Sequence, residues 1–215
     1  MGIEISGFAW VPEFAQGYVK DLRPRWALAE AGLNYEVRQL ENGETDGAEY
    51  RRWQPFGQVP AYRDDEVELF ESGAILLHIG RKSDVLRPRG AQETAQTEAW
   101  MFAAFNSVEP RVDNLVNPQI FYPDEDWVAG WRPHALRLLE FRLTSLTGWL
   151  EGRDWLVARF GVADIAMATV LRGLREEPVI DDFPVVASYL ERCLERPAFA
   201  EALRKQRESF RPEAA

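Results

Sequence analysis

Cysteine is nearly absent. Cys193 stands alone among 215 residues, so no disulfide can close within the chain, and a disulfide-stapled secreted scaffold is excluded. Histidine is almost as scarce: with only His78 and His134 beside that cysteine, the nitrogen and sulfur ligands of a zinc centre cannot be assembled, and no metal is expected. No apolar run approaches the roughly 20 residues that span a bilayer. The opening MGIEISGFAW carries Glu4 and no basic start before an apolar stretch, so it does not read as a signal peptide. Positive charge is also in deficit. The net charge of −10 is the wrong sign for a nucleic acid or an anionic membrane surface, so neither partner is expected. A lone thiol and no targeting segment fit the cytoplasm.

What the chain does have is an ordinary globular composition, with 46% hydrophobic and 28% charged residues, and enough length for two small domains. Ile3 and Ile5 alternate with polar neighbours and read as a first strand over 3–8. An aromatic loop follows. Asp21 is placed to cap a helix that begins at Leu22, carries Pro24 in its first turn and stops at Gly32. LNYEVRQL reads as a second strand. After a polar, Gly-rich stretch with room for a short helix, a strand is expected over 60–63, a turn at Asp64–Asp65, a second strand over 67–70, and a helix from Ser72 to about Arg81. Beyond the linker Arg87-Pro88-Arg89-Gly90 the period changes to 3.6, with helices expected over 93–108, 131–150, 162–174, 184–194 and 198 to about 208. The expected organisation is an α/β domain over 1–83, a small sheet with helices, and an all-helical domain over 91–215.

The segment with most chemistry is WQPFGQVPAYRDDEVELFESGAI. A loop proline directly before a strand, as Pro60 is, is often cis. In that geometry the Val59 backbone can pair with an extended peptide as an added strand would. Ser72 falls at a helix N-terminus, where free amides and the helix dipole suit a carboxylate, and Glu71 supplies a partner for an ammonium. Each residue alone reads equally well as a turn proline or a helix cap. Together they outline a site for an amino-acid head group joined to an extended peptide, the γ-glutamyl-cysteinyl part of glutathione.

The same segment resembles the loop, proline, hairpin and Glu/Gln-Ser helix start of the cytosolic glutathione transferase superfamily. LRPRWALAEAGLNYE (22–36) is similar to the first helix of bacterial members, LERPAFAEAL (194–203) to their late helix, and WLVARFGVADIAMATVL (155–171) to the capping motif of the second domain's central helix. The resemblance covers nearly the whole chain. It implies a thioredoxin-like N-terminal domain with a mixed four-stranded sheet, an all-α bundle behind it, and a homodimer. It also implies glutathione as co-substrate, held by the side chains of Gln58, Glu71 and Ser72 and by the Val59 backbone, with Pro60 setting the geometry. Asp164 matches the family's capping acid, with Gly161 where Ser or Thr is usual.

The activating group departs from the pattern. Lys20 occupies the position of the cysteine found in many bacterial relatives, and Cys193 lies far along the chain. Tyr18 matches the position where some classes carry serine, with Trp10, Gln16 and Glu13 in the same loop. The resemblance thus implies a transferase that turns the glutathione thiolate on small apolar electrophiles in detoxification. The alternatives are a non-catalytic binding or scaffold protein, or a glutathione-dependent isomerase, dehalogenase or peroxidase. Trp100, Phe102, Phe105, Phe121 and Tyr122 read either as helix core or as apolar walls for an electrophile.

Overall fold

The computed structural model describes residues 2–175 and 177–212. The alternating segment forms β1, Ile3–Phe8, and a 3-10 turn at Glu13–Ala15 leads to α1, Leu22–Ala31. Gly32 ends α1 at φ 65°, a left-handed position that glycine adopts without strain. Then come β2, Tyr35–Leu40, a short helix α2, Ala48–Trp53, the hairpin β3, Ala61–Arg63, and β4, Glu68–Phe70, and finally α3, Ser72–Lys82. The four strands run in the order β2-β1-β3-β4, with β1 parallel to β2 and the other neighbours antiparallel. This is the mixed, thioredoxin-like sheet expected, with every strand within two residues of its expected place. One core holds Trp26 and Leu28 of α1 with Ile75, Leu76 and Ile79 of α3, all fully buried. A second gathers Leu40, Tyr50, Trp53, Val59 and Ala61, with Phe8 and Val19 packed against it.

Residues 88–195 are helical where they are regular. α4, Gly90–Phe102, widens into a π-helical turn, Ala103–Val108, and continues as α5, Glu109–Phe121. α6, Asp126–Leu150, α7, Val162–Arg172, and α8, Pro184–Leu194, follow. α7 is buried along nearly its whole length, with α4, α5 and α8 against it. The sequence reading missed α5 and began α6 five residues late because of three prolines. Pro110 has no N–H for the Asn106 carbonyl, and its ring crowds that carbonyl; the π-helical turn lies just ahead of it. Pro118 leaves the Asn114 carbonyl without its helical partner, and the Trp131 indole N–H donates to that carbonyl at 2.9 Å. Pro133 lies inside α6 rather than at its start.

The last helix, α9, Pro197–Ser209, was counted with the helical stretch on periodicity alone. The chain divides into two compact units, Met1–Arg87 with Arg196–Ala215, and Pro88–Glu195, and α9 packs on α1. Trp26 and Phe199 meet with ring centroids 4.8 Å apart, and Arg196 makes a forked pair with Glu30 at 2.6 and 2.7 Å. Among the described residues no helix is long and apolar enough to cross a membrane. Phe102, Phe121 and Tyr122, read as core or walls, are at least half exposed. The core alternative is wrong for these three. Trp100 and Phe105 are half-buried.

Candidate functional site

The Val59–Pro60 peptide is cis, as expected from the sequence. Three hydrogen bonds fix the loop that carries it. Tyr50 donates to the Gln58 carbonyl at 2.6 Å, Ser6 and Tyr50 share a bond at 2.7 Å, and the Ala61 amide donates to Ser6 Oγ at 2.7 Å. Proton counting sets their direction. The Gln58 carbonyl only accepts, so it takes the one phenol proton, and Ser6 donates to the Tyr50 oxygen while accepting from Ala61. Burial pushes the Tyr50 phenol above its ordinary pKa, which keeps that donor in place. Among the described residues, neither the amide nor the carbonyl of Val59 has a hydrogen-bond partner.

Ala61 pairs with Phe70 across the hairpin; continued by two residues, that register sets Val59 opposite Ser72. Glu71 stands at the N-cap of α3 with φ 68°, a left-handed conformation costly for a residue with a side chain. It is exposed, as is Gln58, while Ser72, Val59 and Pro60 are buried. No side chain caps α3, and the first-turn amides of Ser72, Gly73 and Ala74 lack partners among the described residues. The five residues predicted from the sequence are therefore gathered where the hairpin meets the start of α3.

Sequence reading missed Arg23. This α1 residue is 5% exposed and donates from Nη1 to Ser72 Oγ at 3.0 Å, which brings a guanidinium charge to the uncapped helix start. The only signal was a charged residue on a helix face that burial makes apolar. Asp21 sits at the N-cap of α1 but does not cap it. Its carboxylate pairs with Arg25 at 2.7 Å and accepts from Gln206 of α9. Burial pushes the Asp21 pKa up, while the Arg25 charge and hydrogen bonds pull the other way.

The three candidate activators differ in setting. Tyr18, half-buried, follows the 3-10 turn with its amide bonded to Ala15 at 2.9 Å, and its neighbour Val19 packs in the cluster that contains Val59. Gln16 ends the same turn. Trp10 lines a cavity of about 340 Å³ with Phe8, Asn42, Thr45 and Arg211. Lys20 is exposed and Cys193 fully buried. Asp64, Glu66 and His78 converge with ligand atoms within 4.8 Å of one another. The Lys82 ammonium lies among them, 2.6 Å from Asp64 and 3.0 Å from Glu66, so the position a cation would take already holds one.

Residues 17–81 match the family described as Glutathione S-transferase, N-terminal domain. Over 190 residues the chain is 32% identical to Glutathione S-transferase 4 of Zea mays, covering 80% of this chain and 82% of that protein. The chain belongs to the glutathione S-transferase family. It is also 29% identical to the Disulfide-bond oxidoreductase YfcG of Escherichia coli K12, across 83% of this chain and 87% of the relative. In fold it is similar to a glutathione transferase family member from Pseudomonas fluorescens pf-5, whose crystal structure has two glutathione bound. The TM-score is 0.82 at 24% identity, covering 94% of this chain and 92% of that one.

Asp164 keeps the role that the glutathione transferase capping motif implies. Oδ2 accepts from the Gly161 amide at 2.9 Å, and Oδ1 accepts from the Leu156 amide at 3.0 Å and the Tyr189 hydroxyl at 2.9 Å. Gly161 has no side chain to complete a reciprocal box, so the acid alone ties this turn together.

Proposed function

We propose that this glutathione transferase family member binds glutathione at the hairpin–α3 junction and lowers its thiol pKa, so that the thiolate attacks small apolar electrophiles. The reading is carried by the unpaired Val59 backbone, in register with Ser72 at the uncapped start of α3. That arrangement suits an extended peptide ending in an α-amino acid. The Val59 amide and carbonyl bind the cysteinyl backbone, Ser72 and the α3 amides take the γ-glutamyl carboxylate, and Glu71 takes the ammonium. Gln58 adds a side-chain contact, and Pro60 shapes the loop. The relatives' printed names support the same ligand.

A free thiol with pKa near 8.5 is only a few per cent thiolate at pH 7, so a donor aimed at sulfur is needed. Tyr18 is the first choice because it adjoins Val19, which packs with Val59; Trp10 and Gln16 are the alternatives. Cys193 is buried, so the protein's own thiol takes no part. The exposed Phe102, Phe121 and Tyr122 offer apolar contact for the electrophile. Work in detoxification and a cytoplasmic location accompany this reading, as does a homodimer, for which the 64% exposed Phe56, packed edge-on to Phe70, offers an anchor. Sedimentation velocity would return the mass of one chain if the dimer is wrong.

Thiolate absorbance against pH in the glutathione complex tests the mechanism. Tyr18→Phe keeps the ring and removes the donor, so the bound thiol pKa is expected to rise by about one unit or more. An unmoved titration curve assigns the task to another group, and the same measurement on Trp10→Phe and Gln16→Ala identifies it. A calorimetric titration showing no heat with glutathione would overturn the reading as a whole.

A further inference from the structure

A second cavity lies within the helical unit, outside every residue used above. The loop between α6 and α7 folds back on the end of α6 and encloses about 530 Å³, within the usual range for small-molecule pockets. Its walls include Trp149, Arg153, Trp155 and Arg159 from the loop and its root, with Gln96 of α4 and the small Ala158. Gly152 makes the turn possible at φ 71°.

The charges here are unusual for a chain of net charge −10. The Arg153 guanidinium lies 4.5 Å from the centroid of the Trp149 ring and donates Nη1 to the Trp149 carbonyl. Arg192 of α8 lies 5.5 Å from the Trp155 ring and gives Nε and Nη2 to the Asp154 carbonyl, both at 3.3 Å. Among the described residues neither guanidinium pairs with a carboxylate, whereas Arg159 pairs with Glu93 at 3.1 Å. The indole N–H of Trp149 is spent on the Leu156 carbonyl at 3.0 Å, which fixes the ring on which Arg153 lies. A guanidinium carries five N–H donors, and the chain takes one of Arg153's. The pocket thus holds a fixed planar cation on an aromatic floor, with donors to spare.

We propose that this cavity binds a small planar aromatic acid, an aryl carboxylate or sulfonate, with its anionic group on Arg153 and its ring against the arginine–tryptophan stack. Carboxylate and sulfonate oxygens match the guanidinium fork, and aryl rings pack on guanidinium planes. An uncharged aromatic gains only the second contact, and a small inorganic anion only the first.

The test is calorimetric titration of the full chain with 2-naphthalenesulfonate and with its uncharged counterpart 2-naphthol, in the presence of saturating S-hexylglutathione. That conjugate fills the proposed glutathione and electrophile positions, and it leaves the variant comparison readable even if the proposed function fails. One naphthalenesulfonate per chain is expected. Arg153→Gln should weaken it about tenfold or more, the usual worth of a hydrogen bond to a charged group, and should leave 2-naphthol within about twofold on that same scale. Ala158→Phe, which fills the cavity without touching a charge, should weaken both probes. Urea unfolding of each variant checks that the fold is retained; if Arg153→Gln does not fold, Ala158→Phe decides. The proposal is overturned if the wild-type chain takes up no naphthalenesulfonate, or if the folded variants bind it as tightly as the wild type.

Discussion

Ser72 shows how much a single hydroxyl is asked to do. It caps nothing, yet it is buried and receives a hydrogen bond from the equally buried Arg23. A neutral oxygen between a guanidinium and three open amides is well matched to a carboxylate, which accepts from all of them. Ser72→Ala is therefore expected to weaken glutathione binding by about 1.5–3 kcal/mol, because the amides and Arg23 remain while one charge-assisted bond goes. Calorimetry reads this directly, and an unchanged dissociation constant would reduce Ser72 to a packing residue. The strained Glu71 belongs to the same account: a left-handed residue with a side chain persists where its surroundings hold it, and such positions collect at ligand sites.

At the scale of elements, Asp164 makes folding depend on pH. Burial lifts its pKa from the ordinary 3.8 to about 6, outweighing the three donors that favour the charge. The folded chain then keeps this proton after the unfolded chain has lost it. Stability should be greatest below about pH 4 for this group, fall as pH rises toward about 6, and level off above, by at most on the order of 3 kcal/mol. Asp64 acts in the opposite sense at lower pH. The hydrogen bonds from Lys82 and His78 hold it well below the usual range against the cost of its burial, so its contribution is lost only as pH falls below about 4. Urea midpoints between pH 4 and 7 should therefore slope downward in the wild type and lose that slope in Asp164→Asn. The Trp131–Asn114 bond gives a second test. Trp131→Phe should cost about 1 kcal/mol, and less when Pro118→Ala restores the helical N–H to that carbonyl; a double-mutant cycle with no coupling would contradict this. These elements also show what the sequence made legible. Strands and most helices followed from period and punctuation, and the junction at Pro60 and Ser72 from motif spacing. α5 did not, because two prolines masked a helix whose orphan carbonyl is satisfied by a tryptophan seventeen residues away. Nor did Arg23, whose partner lies forty-nine residues on.

For the whole molecule, the main feature is that the first unit is discontinuous. Asp21 and Arg25 form a buried pair completed by Gln206 and Ser209, Trp26 rests on Phe199, and the Arg211 amide bonds the Ala9 carbonyl beyond the end of β1 at 2.8 Å. Phe199→Ala should cost about 3–5 kcal/mol, as for other large buried aromatics, and urea unfolding followed by tryptophan emission should report it through Trp26. A loss under about 1 kcal/mol would mean that α9 only rests on the surface. The discontinuity also sets the order in which the protein can be made. At about 5–20 residues per second, the ribosome spends several seconds or more on residues 88–195 before α9 emerges. Until then the nascent chain carries the buried Asp21–Arg25 pair without Gln206 and the Trp26 face without Phe199. The unit synthesised first is the last to be completed, and it spends that interval with its sticky side open to whatever holds nascent chains.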